Sequence, residues 1–138
     1  MSHSVETARD LVEKLFKELP ARDADAFAAH MAPDAVFEMP FTVPGLPERL
    51  EGREQIREFL AARWGSMSGI EVHGIHPFVH ETSDPAVFVI ENEVDVTRPD
   101  RGREQVRSSV NVVHVHDGQV TLFRDYMNTA RLMTLPRD

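Results

Sequence analysis

Between Arg103 and Asn128 the chain reads REQVRSSVNVVHVHDGQVTLFRDYMN, two β-rich runs joined at Asp117-Gly118. An Asp-Gly pair in that setting is a strong hairpin signal, because a type I′ turn needs φ > 0 at both central positions. A two-residue turn sets His116 opposite Gln119. Unbroken pairing then puts His114, Thr121, Val112, Phe123, Val110 and Asp125 on one face. Val115, Val120, Val113, Leu122, Asn111, Arg124, Ser109 and Tyr126 fall on the other. Both faces hold large apolar side chains, so the sheet needs two covers. Helices are the expected cover on one side and a second copy of the chain on the other. Val113, Val115, Val120 and Leu122 are the expected seam of that homodimer. Asp125, beside Val110, Val112 and Phe123, is a carboxylate on an apolar face, where it is costly unless paired or used.

The segments before the hairpin supply the other cover. Val5, Ala8, Leu11, Val12, Leu15, Phe16 and Leu19 recur at 3-4 spacing, a first helix with Ser4 as N-cap and Pro20 as its stop. A second helix runs from Asp23, capped there or at Asp25, and is closed by Pro33. Ala35 to Met39 (AVFEM) is a short strand ended by Pro40. The following PFTVPGLPERLEG is too rich in proline and glycine for regular structure. Its apolar members, Phe41, Val43 and Leu46, fit a lid over a pocket or a packed surface loop. A third helix spans Gly52 to Gly65, with Ile56, Phe59, Leu60 and the single tryptophan, Trp64, on its apolar stripe. Strands follow over Ile70–Glu81, broken at Gly74 and Pro77, and over Ala86–Val96.

Helices first and strands afterwards point to an α+β fold. Three N-terminal helices pack in the concave face of a curved, mostly antiparallel sheet, a cone-shaped α+β barrel forming one domain over residues 1–138. A cavity between helices and sheet suits a small apolar ligand. Met39, Phe41, Leu46, Trp64, Val112 and Phe123 are its expected lining.

The net charge of −8 argues against nucleic acid and anionic membranes as partners. The chain has no cysteine, hence no thiolate nucleophile or cysteine-ligated metal. The charged N-terminus lacks the apolar run of a signal peptide, and a cytoplasmic location is expected. His73 and His76, and likewise His114 and His116, lie close in sequence, but no third ligand is fixed, so no metal site is expected. The strand Ala86–Val96 is ambiguous. Val87, Val89, Glu91, Glu93 and Asp95 share one face, and Phe88, Ile90, Asn92, Val94 and Val96 the other. Either the three acids face solvent, or Glu91 points into the cavity and the sheet's outer face is a seam.

The segments VFEMPFTVPGLPERLEGREQI, HETSDPAVFVIE and HVHDGQVTLFRDYMN resemble the SnoaL-like group of the nuclear-transport-factor-2-like superfamily, and within it the PhzA/PhzB-like proteins. The likeness spans nearly the whole chain. It implies a cavity-facing acid/base role for Asp125, in FRDY, and a second acid at Glu91, in VFVIE. His114, on the expected face of Asp125, is a candidate relay. The resemblance extends to limonene epoxide hydrolase, whose Arg-x-Asp stretch reads Glu93-Val94-Asp95 here, without the arginine. It extends also to ketosteroid isomerases, whose base falls at Met39 here. The expected function is cofactor-independent acid/base chemistry on a small apolar or aromatic metabolite: cyclisation, isomerisation or epoxide opening. The alternative is a non-catalytic ligand-binding or dimerisation module.

Overall fold

The computed structural model describes residues 7–67 and 69–129. Helix α1 (Ala8–Glu18) begins at a capping box in which Thr7 and Asp10 satisfy each other's backbone N–H groups. Thr7 is thus the N-cap; Ser4, expected in that role, lies outside the described residues, as does Val5. Its stripe of Leu11, Val12, Leu15 and Phe16 is at most 2% exposed. Pro20 ends the helix in a single 3-10 turn, Leu19–Ala21. Asp23 caps α2 (Ala24–Ala29) by accepting from the backbone N–H groups of Asp25 and Ala26.

Helix α2 stops at Ala29, before Pro33, which lies inside strand β1 (Met31–Glu38). There the pairing to the neighbouring strand slips between Met31 and Val36. Pro33 and Asp34 bulge into solvent, where the missing proline N–H breaks no ladder bond. The proline-rich stretch contains one regular piece, β2 (Arg49–Glu51), paired to β1. Helix α3 (Arg53–Gly65) buries Ile56 and Leu60. Four long strands complete the chain: β3 (Glu71–Glu81), β4 (Val87–Arg98), β5 (Gly102–His116) and β6 (Gln119–Met127). The sheet order is β2-β1-β6-β5-β4-β3, with β1 and β6 parallel and all other neighbours antiparallel. Strand β3 is continuous through Pro77 because it lies at the sheet edge, where one row of backbone N–H groups needs no strand partner. The helices fill the concave side of this curved, unclosed sheet, an α+β cone.

Asp117 (φ 49°) and Gly118 (φ 74°) form the expected tight turn, and His116 faces Gln119. Beyond Val115↔Val120, however, Thr121 is extra, and His114 pairs with Leu122. This β-bulge moves every later β6 side chain one position along β5. Phe123 therefore faces Val113, and Asp125 faces Asn111. Val113, Val115, Val120 and Phe123 all turn inward, at most 6% exposed. That corrects the expected dimer seam, of which only Leu122 is on the outer face. The outer face instead carries Val87, Val89, Val110, Val112 and Leu122, all half-buried, with Phe78 55% exposed.

Phe123 is the hub of an aromatic cluster. Its ring stacks on Phe37 and Phe16, with centroids 5.2 and 5.9 Å away, and meets the edge of Phe27 at 5.3 Å. Trp64 closes the group through an edge contact with Phe27 at 6.0 Å. These rings pack the interior beside an open cavity.

Candidate active site

Beside the aromatic cluster lies a cavity of about 300 Å³. Helix α3 contributes Phe59, Leu60, Arg63 and Trp64; Met39 follows the end of β1, and the sheet contributes Ile75, Val94, Val96, Val106 and Met127. Among the described residues of this apolar wall Asp125 is the one carboxyl group, and none of them is a lysine, tyrosine or histidine. Four arginines also reach the wall: Arg22, Arg63, Arg98 and Arg107.

The bulge at Thr121 is what brings Asp125 inward, opposite Asn111 rather than beside Val110 and Val112. Asn111 Nδ2 donates to Asp125 Oδ1 at 3.1 Å. Asn111 Oδ1 in turn accepts from Asn92 Nδ2 and, at 3.2 Å, from the Ser109 hydroxyl. Asn92 and Asn111 are 1% and 3% exposed, the two buried polar side chains among the described residues. Asn92 Oδ1 has no hydrogen-bond partner among them. A buried polar group left unsatisfied costs roughly 1–3 kcal/mol, and this run of hydrogen bonds from Asn92 through Asn111 ends on Asp125. Burial pushes the Asp125 carboxyl up to about 6, against the opposing pull of the Asn111 hydrogen bond and the Arg63 charge.

Of the side chains expected at the site, Asp125, Met39 and Trp64 line the cavity. Phe123 lies behind the wall in the aromatic core. The bulge turns Val112 and His114 to the outer face, so neither shares a face with Asp125. Glu91 also points outward; its Oε2 lies 2.7 Å from His80 Nε2 in an exposed pair. The placement of Glu91 and His114 beside Asp125 is therefore corrected, and the reading of β4 with its three acids outward holds. Phe41, 62% exposed, packs on Tyr126 at 5.3 Å, and neither Phe41 nor Leu46 borders the cavity. Their loop is a packed surface loop. Asn92, Asn111 and Arg63 escaped the sequence reading. The signal for Asn92 was present, since a lone amide on the Phe88–Val96 apolar face is out of pattern.

Among the described residues no three histidine or acidic side chains converge as metal ligands, and no helix is long and apolar enough to cross a membrane. Residues 12–123 match the SnoaL-like domain model. The chain belongs to the SnoaL-like family. This SnoaL-like domain is 28% identical over 128 residues to an uncharacterized PhzA/B-like protein of Pseudomonas aeruginosa, covering 90% of this chain and 86% of the relative. Among solved structures it is similar to TerC co-crystallized with polyporic acid, with a TM-score of 0.71, 21% identity, and coverage of 93% of this chain and 96% of that one. It is also similar to SalBIII, an epoxide hydrolase/cyclase-like enzyme of pyran ring formation in salinomycin, with a TM-score of 0.66, 20% identity, and coverage of 89% and 92%. At these identities the two structures show a shared fold.

Proposed function

We propose that this SnoaL-like domain is a cofactor-independent acid/base enzyme of the isomerase or cyclase type, with Asp125 as its proton carrier. The observation that carries the reading is one carboxyl in an apolar wall, held by a buried amide chain and poised at about 6. A group with that proton affinity exchanges protons near neutral pH in either direction. The ionised Asp125 takes a proton from carbon next to a substrate carbonyl, leaving an enolate. The protonated Asp125 then returns that proton, to a different atom in an isomerisation or to the new oxygen in a ring closure. Proton and charge balance without a second titrating residue. Epoxide hydrolysis by an activated water asks for an acid and a base together, and the described cavity wall holds one such group.

A ligand is a small, mostly apolar metabolite, and the ring chemistry named for SalBIII fits a cavity of this character. The outer sheet face, with Val110, Val112 and Leu122, is assigned to a homodimer. The second reading, a binding module, draws support from Met39, 1% exposed in the wall where the resemblance to ketosteroid isomerases would set a base. Deuterium uptake at the α-carbon of 1-tetralone in D2O, followed by NMR, separates the two. The enzyme reading predicts saturable acceleration that falls at least ~100-fold in Asp125→Asn. Equal exchange by the two proteins would remove Asp125 from the chemistry, and ligand binding without any acceleration favours the module.

A further inference from the structure

The chain carries a net charge of −8, yet four arginines border its cavity beside Asp125, the one carboxyl among the described lining residues. Three of the four are engaged. Arg22 donates to the backbone carbonyls of Met67 and Ile70 at 2.9 and 3.0 Å and closes the turn after α3. Arg98 Nε lies 3.7 Å from Glu104 Oε1, and Arg107 lies 4.0 and 3.9 Å from Glu91 and Glu93. Arg63 differs. It is half-buried on the cavity side of α3, and among the described residues its guanidinium makes no hydrogen bond or ion pair. It acts on Asp125 through space without touching it.

A half-buried guanidinium whose five donors are unused among the described residues is suited to an anion, since its planar fork matches a carboxylate with two parallel hydrogen bonds. We infer that the ligand of this cavity is an organic acid, an apolar or aromatic body bearing one carboxylate or equally acidic oxygen, which Arg63 receives while the body lies against the apolar wall. The inference rests on the cavity being the ligand site, as in the proposed function, but not on Asp125 doing chemistry. The acid group enters next to Asp125, so the second negative charge favours the protonated form of Asp125. Arg63 is the cation acting on that carboxyl, and the neutral Asn111 is its hydrogen-bond donor. Binding of an anion should therefore weaken as pH rises through about 6.

Calorimetric titration of the whole chain with 2-naphthoate and with its neutral isostere 2-naphthamide tests this. The acid should bind about ten- to a hundredfold tighter than the amide, the range of a charge-assisted hydrogen-bonded pair. Arg63→Gln should erase that preference with amide affinity unchanged, and Arg63→Lys should keep part of it. Asp125→Asn should retain the preference and lose the pH dependence near 6, so a failure of the catalytic reading leaves this result standing. Equal affinity for acid and amide, a preference that survives Arg63→Gln, or no binding of either probe would overturn the inference.

Discussion

Replacing Asp125 with asparagine should stabilise the protein at neutral pH, and the size of the gain follows from the site. The amide keeps an oxygen where Asn111 Nδ2 donates at 3.1 Å, so the buried network survives. What it removes is the cost of ionising a carboxyl in an apolar wall. An aspartate in the unfolded chain titrates near 3.9, whereas Asp125 in the fold titrates at about 6. The folded state thus holds its proton more tightly than the unfolded state. Below about pH 4 both states are protonated and nothing is lost. Between about 4 and 6 the unfolded state sheds its proton first, and folding stability falls with rising pH. Above about 6 the loss is complete, at about 3 kcal/mol from 1.36 kcal/mol per pKa unit. Urea unfolding of both proteins between pH 3.5 and 8 measures it. The two midpoints should coincide at the acid end and separate through pH 4–6 in favour of the variant, with equal m-values. A wild-type protein more stable than Asp125→Asn at pH 7 would refute this, because it would mean that Asp125 is held ionised by a cation.

Two further outcomes follow from the same geometry. Asn111→Ala takes away the hydrogen bond that favours ionised Asp125 and strands Asn92, so it should raise the titration of Asp125 above about 6 and cost roughly 1–3 kcal/mol in urea unfolding. Val112→Lys, on the outer face, should leave a folded monomer by light scattering, whereas Val113→Lys, one residue on, should abolish folding because Val113 is fully buried. A Val112→Lys protein that remains dimeric would show that the outer face is not the seam.

Much of the architecture could be read from the chain, and the reasons are local. Asp117-Gly118 announces its turn because few residues accept two successive positive φ values. Helix α3 runs close to its expected span because Gly52 and Gly65 bracket a continuous apolar stripe. The alternation in β4 divides its side chains into two sets, and burial of Phe88, Ile90, Asn92 and Val96 decides which set faces inward, a choice the pattern alone left open. The register of β6 was not legible. Leu122 and Phe123 are adjacent and both apolar, so the pattern fits either face, and the choice is made by the aromatic cluster that Phe16, Phe27 and Phe37 build from elsewhere in the chain. One bulged residue, Thr121, then reverses the surroundings of Asp125, His114 and Val112 together. Asp125 was found as a residue, but with the wrong neighbours. Arg63 was hidden for a different reason: an arginine in the last turn of a helix is ordinary there, and only the absence of a partner among the described residues sets it apart.

Asp125, half-buried in the cavity wall, should exchange its proton near neutral pH. Carbon-13 NMR of aspartate side-chain carboxyls, with Asp125→Asn to assign the resonance, reads this directly. One resonance, absent from the variant, should titrate at about 6. An Asp125 resonance that titrates below about 4, like an ordinary solvated aspartate, would contradict it.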